Sequence, residues 1–297
     1  MTSDNDYSGM MQADSNATGR EIQKSPQSIL AEEIEEGLIQ LNRSGSGLFL
    51  SGLSAGLDIG FGPFLMAVVL SMPHKGLAEP VLELLVASAY AIGFIFVILG
   101  QSALFTEQTT LATLPVIHGR ASFQELGKVW AVVYSSNILG AALFAGIAVV
   151  LGTQTKIVEP KVLAEIAHGL TDYRWWVILL GGVLAGWLMG LLSWLASAAR
   201  DTVSLLLIVW IVTGTIAYAH LPHSIAGTVE VLLGVFSGTV VLEEFVTFLT
   251  WSTIGNIIGG TVFVSLLRYS HAERGGYEPE AAAVGRQSDR GSAHEED

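Results

Sequence analysis

The residues best suited to chemistry stand where an otherwise apolar chain is interrupted. One interruption is Gly100-Gln101-Ser102 followed by Thr106-Glu107-Gln108-Thr109-Thr110, and another is His220-Leu221-Pro222-His223-Ser224. An imidazole titrates near neutrality when unperturbed, so His223 is the side chain best placed to exchange protons. Ionisable groups at membrane depth are functional candidates by default. The plainer role for His223 is to satisfy the polar backbone of a broken helix. Thr106 offers a hydroxyl to a passing anion or a water, or else caps a helix. Ser224 stands beside the histidine. Glu107 follows the first interruption directly, and Asp58 lies in the middle of an apolar stretch.

Other chemistries find little support. Gly52-Leu53-Ser54-Ala55-Gly56 matches a nucleophile elbow, but that motif needs a strand-to-helix turn and the segment lies inside an apolar helical run. His220 and His223 are spaced to share a metal, yet no third ligand is evident. No metal or cofactor is expected. A membrane-embedded hydrolase and a purely structural membrane protein stay as remote alternatives. The chain has no cysteine, which excludes disulfides.

The elements that position these residues are membrane helices. The chain has 297 residues, 51% hydrophobic and 14% charged, with a mean hydropathy of +0.54, values foreign to a soluble domain. Apolar runs long enough to cross a bilayer fall near 47–72, 81–106, 129–151, 175–199, 203–219 and 245–267. The net charge of −13 is carried mostly by the ends. Residues 1–26 form a polar tail without the apolar core of a signal peptide, and 271–297 an acidic one; both are expected to be disordered. Asn16-Ala17-Thr18 matches a glycosylation acceptor, a triplet too common to weigh. An acidic balance argues against nucleic acid. Residues 27–44 read as an amphipathic helix, with Ile29, Leu30, Ile34 and Leu38 between acids. It lies on the membrane surface or packs on a partner subunit or domain. The transmembrane domain is expected over 45–270. Six spans place both ends on one side. Arg43, Arg120, Lys128, Arg200, Arg268 and Arg274 lie on that side, against Lys75, Lys156, Lys161 and Arg174 on the other, which favours cytoplasmic termini. Glu230, Glu243 and Glu244 are placed in the connection after the fifth span.

The chain also repeats itself, over about 45–152 and 174–270. Gly52-Leu53-Ser54-Ala55-Gly56 is answered by Gly182-Val183-Leu184-Ala185-Gly186, and Asn137-Ile138-Leu139-Gly140-Ala141 by Asn256-Ile257-Ile258-Gly259-Gly260. Gly56 and Gly186 lie on small-residue faces that let helices approach closely in lipid. By spacing, Thr106 aligns with His223. Two copies of an odd number of spans must insert in opposite orientations. The expected fold is therefore an all-α membrane protein of six transmembrane helices in two inverted three-helix repeats. Its second and fifth helices are broken, and a half-helix N-terminus after each break would favour an anion.

An ordered set of motifs resembles the formate/nitrite transporter family over roughly residues 30–270. It comprises Leu104-Phe105-Thr106, Tyr134 with Asn137 to Ala141, Trp194 with Ala198-Ala199-Arg200, His223-Ser224-Ile225-Ala226, and Ile254-Gly255 with Asn256 to Gly260. The resemblance implies a homopentamer of aquaporin-like protomers in the plasma (inner) membrane, each with its own pore for a small monovalent anion. It implies that His223 and Thr106 face each other across the pore between apolar constrictions, with Leu104, Phe105 and Phe94 as constriction members. This chain departs from the family where Pro222 replaces a Glu, Gly227 an Asn and Gly186 an Asn, and in carrying Glu107 and Asp58. It looks like a divergent branch.

The sequence thus points to transport of a small anion such as formate or nitrite, pH-gated or proton-coupled through His223. The partners are the lipid bilayer, the anion and protons. The anion would enter an electropositive vestibule and cross the constriction as a neutral acid, because a bare charge in a dry constriction is expensive. An ionised Glu107 in the path would repel an anion, so it is protonated, paired or turned aside. Otherwise a neutral solute or another ion is carried.

Overall fold

The computed structural model describes residues 24–74 and 76–274, and these form helices joined by short connections, with no strand among them. The tails expected at 1–26 and 271–297 lie, apart from residues 24–26 and 271–274, outside the described residues.

Helix α1 (Pro26–Asn42) begins at Ser25, whose side chain accepts from the Ser28 amide, with a proline in the first turn. Its apolar face is not left for lipid. Ile29, Leu30 and Ile34 pack with Leu114, Trp194 and Ala272 of the same chain, so α1 covers the ends of its own bundle.

The apolar run 47–72 becomes α2 (Gly45–Ile59) and α3 (Phe61–Ser71), which continue as one span. The next run becomes α4 (Glu79–Leu99), then short α5 (Phe105–Leu111) and α6 (Thr113–Ile117). Residues 106–110, expected as part of the interruption, are helical. Thr109 turns its hydroxyl to the carbonyl of Thr106 in the preceding turn, and Thr113 just beyond does so to Thr109, both at 2.7 Å. That satisfies them without breaking the helix. Helix α7 (Phe123–Gln154) starts with a reciprocal cap between Ser122 and Glu125. Helix α8 (Pro160–Thr171) is a short connection, and α9 (Trp175–Ala198) spans again.

Asp201 caps α10 (Thr202–Tyr218), which is followed after a break by α11 (Ser224–Ser237). Helix α12 (Leu242–Ile258) runs through a π-helical segment, Gly259–Leu266, into α13 (Leu267–Arg274), past the boundary at 270 drawn from the sequence. Among the described residues, five helical stretches are long and apolar enough to cross a membrane, and α10 and α11 are shorter apolar helices. Large side chains such as Ile147, Val150, Leu180 and Ile211 face outward, as suits lipid or neighbouring subunits.

The core is held by two close seams, α2 on α7 and α9 on α12. A β-carbon on Gly56 would lie 2.2 Å from the Asn137 carbonyl oxygen, and one on Gly186 would lie 2.2 Å from that of Asn256. Only glycine permits these backbones to touch. Gly140 and Gly259 do the same from the opposite helices, against the carbonyls of Leu53 and Val183.

Candidate functional site

The two breaks fall at residues 100–104 and 219–223. In each, one residue takes the left-handed conformation, Gln101 with φ 55° and His220 with φ 50°. The reversal leaves backbone groups unpaired inside the bundle, and one asparagine per break satisfies them. Asn137 accepts from the Phe105 amide at 2.8 Å and donates to the carbonyls of Gly52 at 2.7 Å and Ala103 at 3.0 Å. Asn256 accepts from the Ser224 amide at 2.8 Å and donates to the carbonyls of Gly182 at 2.8 Å and Pro222 at 3.0 Å.

These clamps set the register between the halves. Phe105 occupies the place of Ser224, Ala103 that of Pro222, and Leu104 that of His223, with 32 residues from clamped amide to asparagine in both. The alignment of Thr106 with His223, expected from spacing, is therefore two residues out. The register follows the amide each asparagine receives rather than the polarity of the break.

His223 is the residue that caps α11. Its Nδ1 accepts from the amides of Ile225 at 3.3 Å and Ala226 at 3.1 Å. A ring nitrogen that accepts two N–H groups carries no hydrogen, so these partners assign the neutral tautomer with its hydrogen on Nε2. That Nε2–H meets Thr106 Oγ1 at 2.9 Å. Both residues are inaccessible, at 1% and 0% exposure. Having accepted this bond, the Thr106 hydroxyl keeps its own hydrogen for another acceptor. Phe94 stands edge-on to the imidazole, with ring centroids 5.0 Å apart and planes at 88°.

The other sequence candidates are distributed around this pair. Leu104 is buried and begins α5 without a side-chain cap. Phe105 packs against Tyr134 and Trp130 rather than the imidazole. The Ser224 hydroxyl is buried without a partner. Glu107 lies two residues from Phe105 on α5, buried near Glu33 and Glu36 of α1. Asp58 stays apart, accepting from Ser54 on its own helix at 3.0 Å. Among the described residues no group of three His, Asp or Glu could hold a metal, and His220 and His223 part company. His220 lines a cavity while His223 turns to Thr106.

That cavity, about 310 Å³, corrects two expectations. Glu230 is not in a connection: it sits inside α11, buried, with its side chain on the cavity wall. Together with Glu79, Glu83 and Glu165 it makes this chamber acidic, and among the described residues no lysine or arginine lines it. The electropositive vestibule expected for an anion is not found here. Tyr90 joins the cavity to the site: it lines the wall and packs on Phe94, with ring centroids 5.1 Å apart. Sequence reasoning misses the roles of Tyr90 and Glu230. The signal available is helical spacing, since Tyr90 lies one turn before Phe94 and Glu230 two turns after His223.

It also misses Glu33. On the opposite face of the bundle its carboxylate is wholly buried under α1, accepting from Ser193 at 3.0 and 3.1 Å and from Ser197. Burial pushes its pKa up to about 7.

A helical membrane bundle with two broken helices, their tips converging on a buried histidine–threonine pair, defines a membrane transport protein of the channel type. The family description formate/nitrite transporter matches residues 27–270, and the chain belongs to that family. It is 29% identical over 254 residues to the inner membrane protein YfdC of Escherichia coli (strain K12), covering 80% of this chain and 76% of that one. It is 29% identical over 232 residues to the nitrite transporter NirC of Salmonella typhimurium, covering 74% of this chain and 81% of that one. Among solved structures it resembles an FNT family ion channel, with a TM-score of 0.69 and 24% identity, covering 82% of this chain and 97% of that one. It also resembles a pentameric formate channel with formate bound, with a TM-score of 0.64 and 22% identity, covering 76% and 96%. The chain is thus a transporter or channel, not an enzyme.

Proposed function

We propose that this chain carries a small monovalent anion, formate- or nitrite-like, across the inner membrane as a homopentamer with both ends in the cytoplasm. Inverted three-helix repeats form each protomer's pore. The observation that carries this reading is the Thr106–His223 pair, held between two half-helix starts and walled by Phe94.

The anion takes the Nε2–H of His223 and the hydroxyl of Thr106 as its donors. The imidazole is a hydrogen-bond donor and not a proton donor: protonating Nδ1 would turn an N–H against the amides of Ile225 and Ala226. The proton that neutralises the anion reaches it through water, and the solute passes Phe94 as a neutral acid. Leu104, buried at the start of α5, completes the apolar wall, with Phe105 packed behind it on Tyr134 and Trp130. The named functions of the relatives, nitrite and formate passage, support this substrate class.

Stopped-flow uptake into proteoliposomes at two pH values tests it. Formate and nitrite should enter faster at the lower pH, and His223→Ala should slow them roughly tenfold or more by removing a donor to a charged group. An unchanged rate in His223→Ala, or a pH profile abolished with it, would defeat the mechanism. The acidic cavity favours a second reading, passage of a neutral solute, which the same screen detects as uptake of uncharged molecules without anion flux.

A further inference from the structure

We propose that the acidic cavity is a binding site for a small organic cation of the alkylammonium type. It concerns a chamber that the Thr106–His223 pair does not line but that Tyr90 and Phe94 join to it.

The cavity, about 310 Å³, has a size suited to a small ligand. Its deep wall carries two polar groups that the protein leaves unsatisfied. Glu230 is 7% exposed, and its carboxylate has no hydrogen-bond or ion-pair partner among the described residues. Tyr90 is 2% exposed, its hydroxyl likewise lacks a partner, and it lies within electrostatic reach of Glu230. An acid buried this far either keeps its proton or is joined by something positive, so a bound cation takes the place of that proton. Glu79, Glu83 and Glu165 line the same chamber, and among the described residues no lysine or arginine does, so the field there favours cations over anions.

The chemistry of the walls then selects among cations. A hard divalent ion needs several oxygen ligands converging on one point, and no group of three acids or histidines among the described residues offers that. A strongly hydrated sodium ion gains little from Leu82, Val86, Ile166 and Leu170, whereas an alkyl group is buried by them. Tyr90 and Tyr218 add aromatic surface of the kind that attracts ammonium groups.

Equilibrium binding of radiolabelled ethylammonium to the purified full-length protein in lipid nanodiscs, at constant ionic strength, tests the proposal. Saturable binding is expected, roughly tenfold or more weaker in Glu230→Gln, because a charge-assisted bond is lost. Unlabelled ethylammonium should displace the label far more effectively than sodium. Absence of saturable binding, equal binding by folded Glu230→Gln, or equal displacement by sodium would each overturn it. The sodium comparison uses the unaltered protein, so it decides even if Glu230→Gln does not fold. Since no flux is measured, these outcomes are independent of whether anions are carried.

Discussion

The two breaks are built by the same clamp and finished differently. Asn137 and Asn256 satisfy corresponding sets of three backbone groups. At the residue just before the half-helix, however, one break has Leu104, which caps nothing, and the other has His223, which caps α11 through its ring. A second difference lies in the helices that carry the clamps. Helix α7 runs on regularly, whereas α12 passes into a π-helical segment where the Gly260 carbonyl accepts from Thr110 at 3.2 Å and Ser265 at 3.1 Å. Such a segment frees a carbonyl for side-chain hydroxyls. The two clamps match, and the breaks differ in the residue on which each half-helix begins.

The sharpest way to break this comparison is to remove the clamps singly. Asn137→Ala and Asn256→Ala each leave one amide and two carbonyls unpaired in the interior. That should cost about 3–5 kcal/mol apiece, read as similar falls in melting temperature of the purified protein. A loss confined to one half would show that the clamps are not equivalent.

The next effect concerns α1, which buries a carboxylate against α9 of the second half. Glu33 has a docked pKa of about 7, above its ordinary 4.5, so it holds its proton more tightly when docked. The docking penalty is absent below pH 4.5, grows through the interval and is complete above pH 7, reaching about 3 kcal/mol. Glu32 and Glu36 on the same helix add repulsion in the same direction. The protection factors of the amides around Ile29 and Ile34, which take out the intrinsic base-catalysed rate, should therefore be lower near pH ~8 than near pH ~5. Glu33→Gln should flatten that difference, and an unchanged difference in the variant would assign it to other groups.

The smallest effect sharpens the contrast between Phe105 and Ser224. The Ser224 hydroxyl is buried and, among the described residues, unpartnered, so Ser224→Ala should cost no stability, because no bond is lost and an unsatisfied group is removed. A loss in the melt would mean that the hydroxyl has a partner in the working protein.

Much of this is legible in the sequence. The runs at 175–199 and 203–219 end within a residue of α9 and α10, because apolar length is dictated by the bilayer. Thr106 and His223 both stand out by type and position, and they touch. Their register is misread from spacing because hydropathy marks where a helix is interrupted and not which amide the asparagine captures. Glu230 reads as a loop residue because an acid beyond a proline break suggests solvent. Only the fold shows that a cavity reaches it. Glu33 is hidden among Glu32, Glu35 and Glu36, although it shares a helical face with Ile29, Leu30 and Gly37, all of which are buried.

The manner in which His223 caps its helix has an electrical consequence. The 14 residues of α11 align their peptide dipoles, which is equivalent to about half a positive elementary charge at the amide end. Those amides bond to one edge of the imidazole, and the opposite edge faces Thr106. The ring thereby relays the helix's polarity across its own width and delivers it through a single N–H, polarised by the bonds behind it. The voltage of a whole helix is presented at one atom of a neutral ring.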